Sequence, residues 1–132
     1  MKFDISGDLN PGAWFDLVEG KPEEGRICLR LANDSIFNEI RKKTVKNKVE
    51  YKQRVRHEFQ EHDEDKYDEL FWDYCIADWE NMEDALGNPI KCTAKNKLAL
   101  VGGSIEFKRI LSRCLDQLKK DLAAKIEEVE KN

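Results

Sequence analysis

His57 and His62 bracket HEFQEH, one residue longer than the H-E-x-x-H spacing in which two imidazoles share a zinc ion and the glutamate acts as a base. Five residues turn a helix by about 500°, leaving the two rings roughly 140° apart. The segment therefore reads as two exposed histidines on a charged helix, and no metal site is expected. DEDKYDELFWDY, starting at Asp63, opens like a calcium loop, but Asp68 stands at the sharp-turn position that needs glycine and Tyr74 at the twelfth position that needs glutamate.

Asp73, Asp78, Glu80, Glu83 and Asp84 could supply a general acid and a general base if burial separated their pKa values. In a chain with 27 acidic residues such pairs arise by chance, and a solvated acidic face is the simpler reading. Two histidines in one charged segment give no Ser-His-Asp or Cys-His arrangement. VGGS, residues 101–104, lacks the lysine and hydroxyl residue of a phosphate loop and reads as a turn ending in an N-cap at Ser104. Cys28, Cys75, Cys92 and Cys114 are scattered without a C-x-x-C pair, and MKFDISGDLNPG has no positive start followed by an apolar run. Reduced, buried thiols and a cytoplasmic location are the expectation. No run of about 20 apolar residues occurs, so no membrane-spanning helix is expected.

Charge is segregated along the chain. Residues 41–56 hold Arg41, Lys42, Lys43, Lys46, Lys48, Lys52, Arg54 and Arg56 against a single Glu50, whereas residues 57–84 hold twelve acidic side chains against Lys66. Cations interleaved with Tyr51 could grip phosphates and stack a base, which makes a small nucleic-acid-binding module the alternative function. The competing reading is that the run neutralises the acidic segment, within the chain or between identical subunits. The net charge of -4 favours that second reading.

The elements that must position these residues follow from pattern. At 132 residues a single domain is expected, with 40% hydrophobic residues providing a core. Gly7, Asn10, Pro11 and Gly12 make residues 1–12 a flexible arm. AWFDLV and GRICLRLA, separated by a turn at Gly20 and Pro22, predict a β-hairpin over 13–32, with Ile27, Leu29 and Leu31 on its dry face. A helical part is expected over 33–132. Asn33 to Ser35 offer N-cap oxygens to a first helix, and the basic stretch after it reads as a solvated helix or a mobile excursion. DKYDELFWDYCIADWENM predicts a helix started by Asp63 or Asp65 and stopped near Gly87 and Pro89. From Ser104 onward Ile105, Ile110, Leu111, Cys114, Leu115, Leu118, Leu122, Ile126 and Val129 recur at spacings of three and four, a helix approaching 40 Å in length. That exceeds what the core needs, so its end is expected to project or to pair with a partner. The fold class is α+β, mainly α, with a short N-terminal β-hairpin packed on a helical bundle and a long C-terminal helix.

An aromatic helix ending in D-W, an acidic spacer, and then G-x-P-[IL]-x-C-T before a short helix is similar to small phage and prophage tail proteins of the tail assembly chaperone or minor tail component type. The residues that carry the resemblance run from Leu70 to Tyr74, then Asp78, Trp79, Asp84, Gly87, Pro89, Ile90, Cys92, Thr93, Asn96, Lys97 and Leu98. Ala94 and Lys95 stand where that pattern usually has proline and glutamate. The resemblance implies a non-catalytic role in tail assembly through protein contacts, with tape-measure or tail-tube subunits as partners, and no cofactor. It places the protein in the host cytoplasm or in the virion. Self-association is the further expectation, with the exposed long helix, the dry-faced hairpin and the segregated charges as contact surfaces.

Overall fold

The computed structural model describes residues 1–131. The predicted hairpin forms, with β1 (Ala13–Asp16) pairing antiparallel to β2 (Arg26–Leu29) around a 3-10 turn at Pro22–Glu24. Helix α1 (Asp34–Thr44) starts where Asn33 accepts a hydrogen bond from the Ile36 N–H, satisfying one of the four donors that a helix start leaves open. The chain then departs from the helical expectation. Of residues 41–56 only the first four continue the helix: α1 passes at Val45 directly into β3 (Val45–Lys52), which pairs with β4 (Val55–His62) as a second, separate hairpin that replaces the expected solvated helix. Gln53 and Arg54, both at positive φ (51° and 67°), make its two-residue turn.

Asp63 caps α2 (Glu64–Cys75) through the Lys66 N–H. The helix predicted through Met82 ends seven residues earlier, at Cys75, and Ile76 opens β5 (Ile76–Glu80), which adds to the free edge of β2. The first sheet thus has the order β1-β2-β5, and the stretch 33–132 is not wholly helical as expected but holds three strands. The pairing slips between Cys28 and Leu29, leaving Ala77 as an extra residue in β5. That bulge lets both Ile76 and Trp79, three residues apart, point to the face that also carries Ile27 and Leu29.

Thr93 starts α3 (Ala94–Gly103) by accepting from the Asn96 N–H, and Ser104 starts α4 (Ile105–Lys131) by accepting from the Phe107 N–H. Val101, Gly102 and Gly103 belong to the last turn of α3, so VGGS is a helix end and a cap rather than a free turn. Helix α4 lays Phe107, Leu111, Cys114 and Leu118 across the sheet, where with Leu17, Ile27, Leu29, Ile76, Trp79 and Val101 they form the core. Ile105, predicted on that stripe, is exposed.

The first hairpin is not dry on one side only, because Cys28 on its other face is buried as well. Residues 1–9 of the N-terminal arm are exposed, but residues 10–12 close over Cys28. The Asn10 side chain donates to the Leu31 carbonyl (2.8 Å) and to the Tyr74 hydroxyl (2.9 Å). Gly12 sits at φ 93° with room for no Cβ, since one would lie 2.8 Å from the Leu29 oxygen. Among the described residues no helix is long and apolar enough to cross a membrane.

Candidate functional site

Two regions hold the residues that the sequence marks out: the joint between β5 and α3, and the β3–β4 hairpin with its flanks. In the joint, Trp79 is buried under α4 as part of β5, not as the anchor of a helix end, and its indole N–H donates to the Ile90 carbonyl at 2.7 Å. That bond ties the far limb of the loop to the sheet. The loop is itself a small closed structure. Met82 and Ile90 are joined by a backbone bond (2.8 Å), Glu83 bridges Pro89, and the Asp84 carboxylate accepts from the N–H groups of Leu86 and Asn88, both at 2.9 Å. Gly87 turns the tip at φ 83°, a conformation a side chain would resist.

Beyond the loop, Asn96 donates to the Lys91 carbonyl (2.9 Å) while its backbone is capped by Thr93. Lys97 is buried and places its ammonium 2.9 Å from a carboxylate oxygen of Asp73 and 3.1 Å from the Asp73 carbonyl. A cation at the last carbonyls of α2 meets the negative end of that helix, so α3 is held to α2 by charge and by hydrogen bonds together. Lys97 lies inside the motif, but nothing in its spacing predicted this partner. Arg30 is a second residue without a sequence signal. It stacks 3.9 Å over the Tyr74 ring, donates to the Tyr74 carbonyl (2.7 Å) and pairs with Asp8 (3.5 Å).

The acidic group is not brought to one place. Asp73 is engaged by Lys97, Glu80 pairs with Arg26 at 3.6 Å, Asp84 caps its own loop, and Asp78 is exposed on β5 opposite Cys28. Burial raises all four thiols above their ordinary range. Cys75 is pushed up to about 11, and for half-buried Cys92 burial is joined by Asp78 and Asp73 and opposed by Lys97. A thiol held protonated is a poor nucleophile and a poor metal ligand, and Cys114 packs in the core with Cys92 against it.

The basic run is divided by the hairpin geometry. Arg41, Lys42 and Lys43 lie in the last turn of α1; Lys46, Lys48 and Lys52 share one face of the hairpin with Val55, His57 and Phe59; Arg54 is in the turn; and Arg56 is on the opposite face beside Tyr51. His57 and His62 sit on opposite faces of β4, since residues five apart on a strand alternate. Three of the cations meet carboxylates of the hairpin itself: Lys48 with Glu61, Lys52 with Glu50 (4.0 Å) and Arg56 with Glu58 (2.9 Å). Every residue from Lys46 to His62 is exposed, including Val49, Tyr51, Val55 and Phe59, so the hairpin stands out from the body that α4 and the first sheet form.

Among the described residues the geometry provides a braced joint and two projections, the hairpin and the end of α4. Comparison with protein-family models, with curated proteins and with solved structures finds no match to this chain.

Proposed function

We propose that the protein acts in the assembly of a phage or prophage tail through protein contacts, as a tail assembly chaperone or minor tail component, without catalysis. The observation that carries this reading is the physical continuity of the motif behind the resemblance. Trp79, Asp84, Gly87, Pro89 and Ile90 close the loop onto β5, and Thr93, Asn96 and Lys97 start α3 and tie it to α2; these two hydrogen-bonded groups, adjoining at Ile90 and Lys91, set how β5, α2 and α3 meet. Residues that fix a scaffold by mutual bonds are needed as a set. A pattern of eight such residues is accordingly more informative about a family than any one of them is about chemistry.

The exposed surfaces suit contact work. Val49, Tyr51, Val55 and Phe59 on the hairpin and Leu122, Ile126 and Val129 on α4 are apolar side chains left in water by the chain's own fold. On this reading the partners are tape-measure or tail-tube subunits and the setting is the host cytoplasm or the assembled virion. Co-expression of the tagged protein with phage tape-measure and tail-tube proteins tests the proposal. Copurification of either, and better solubility of the tape-measure protein, are the expected results. A protein that retains neither partner and leaves the tape-measure protein insoluble would overturn the assignment.

A further inference from the structure

The charges that the sequence segregates are only partly neutralised within the folded chain. Glu58 and Glu61 on β4 meet Arg56 and Lys48, but Glu64, Asp65 and Asp68 on the exposed first half of α2 have no ion-pair partner among the described residues, and neither has Arg54 in the hairpin turn. Glu64 and Asp65 border a polar cleft of about 490 Å³ at the base of the hairpin, lined also by Glu61, Asp63, Lys46 and Lys48, and Asp68 follows one turn further along α2. The cations stand at the other end. Eight-residue strands at about 3.3 Å per residue carry Lys52, Arg54 and Arg56 roughly 25 Å from that base. A hairpin rooted at the cleft cannot fold its own tip back into it.

We propose that the hairpin tip of one molecule docks on the acidic start of α2 in a second copy of this chain, a head-to-tail contact between unlike surfaces. Charge complementarity selects the second copy. The tip presents Arg54 without an ion-pair partner, flanked by Lys52 and Arg56, whose carboxylates Glu50 and Glu58 are exposed and exchangeable, with Tyr51 on one face and Val55 on the other. The surface that matches Arg54 in sign is repeated on every molecule but lies out of reach within each one. A two-stranded hairpin is only marginally stable alone in water, and contact along its tip supplies the apolar cover it lacks. Because the two surfaces differ, each bound copy leaves one tip and one cleft open, and the contact propagates into a ring or a filament. The tip is small, so each contact is weak and strongly dependent on salt. This inference does not depend on the tail-assembly reading and stands or falls separately from copurification with tail proteins.

The test is sedimentation velocity of the full-length chain over a concentration series, with two charge-reversed variants. One carries Lys52→Glu, Arg54→Glu and Arg56→Glu; the other carries Glu64→Lys, Asp65→Lys and Asp68→Lys. The unmodified protein is expected to self-associate, at least about tenfold more weakly in roughly 0.5 M than in 0.05 M salt. Each variant alone is expected to be monomeric, and their equimolar mixture to associate again, because the reversed tip of one matches the reversed patch of the other. A monomeric unmodified protein, variants that assemble like it, or folded variants that stay monomeric when mixed would each overturn the proposal. If a triple variant fails to fold by circular dichroism, Arg54→Gln and Asp65→Asn replace it, each expected to weaken association severalfold; no weakening counts against the contact. Retention of a single-stranded oligonucleotide that requires the tip cations, in a protein that does not self-associate, would assign the tip to nucleic acid and also overturn it.

Discussion

Trp79 joins two kinds of interaction in one side chain: its ring packs under α4 in the core, and its N–H holds the Ile90 carbonyl. Removing the ring costs both, so Trp79→Ala is expected to destabilise the protein by about 3–5 kcal/mol in urea unfolding. Trp79→Phe keeps most of the packing and strands the carbonyl, an expected loss of about 1–2 kcal/mol. Thr93→Ala removes the α3 cap and should cost about 1 kcal/mol, read in the same way. The thiols give a pH dependence with a definite sign. Cys75 has a folded value of about 11 against an ordinary 9.0, so above pH 9 the unfolded chain loses its proton first. The contribution is therefore complete below pH 9 and is lost as pH rises toward 11; Cys28, Cys92 and Cys114, also raised by burial, act in the same direction. Thermal unfolding followed from pH 8 to pH 11 should show a falling midpoint, with the fall reduced in Cys75→Ala measured against its own value at pH 8.

Helix starts were legible because their signal is local. The caps expected among Asn33 to Ser35, at Asp63 or Asp65 and at Ser104 fall on Asn33, Asp63 and Ser104, and these three with Thr93 each place a side-chain oxygen at the N–H three residues on. The strands after α1 and α2 were not legible, for two different reasons. The apolar residues of DYCIADW continue a helical spacing with no glycine or proline between, and what ends α2 at Cys75 is the open edge of β2, forty-odd residues earlier in the chain. The second hairpin does alternate, Val45, Val49 and Tyr51 against Lys46, Lys48, Glu50 and Lys52, but its charge density reads as a solvated segment, neither face is buried, and its turn is Gln53-Arg54 rather than the Asn-Gly that marks a type I′ turn. In the candidate site the loop residues Gly87 and Pro89 and the Thr93 cap could be read directly, whereas Lys97 on Asp73 needed the fold. The turn leads to a prediction at this scale. Non-glycine residues at positive φ cost about 1 kcal/mol or more each, so Gln53→Asn with Arg54→Gly should stabilise the hairpin by roughly that amount. Hydrogen exchange should show greater protection of the β3 and β4 amides with little change in the core amides of β2, because the hairpin unfolds as a separate unit.

For the molecule as a whole, two projections leave one packed body, and they make opposite claims on self-association. The apolar stripe of α4 is buried through Leu118, but Leu122, Ile126 and Val129 are 39%, 60% and 47% exposed, so the last turns contribute little to the core. Truncation after Ala123 is therefore expected to lower stability by less than about 1 kcal/mol, a shift of a few degrees in Tm for a domain of this size. Its effect on assembly separates the two surfaces. Pairing through the α4 stripe would be apolar and nearly indifferent to salt, whereas docking of the hairpin tip on α2 is electrostatic and weakens as ions screen it. If the tip carries the contact, the truncated chain should sediment with the same concentration and salt dependence as the full chain, and the charge-reversed pair should still complement each other on the truncated background. A truncated chain that turns monomeric at low salt would instead give self-association to α4 and leave the hairpin for a different partner.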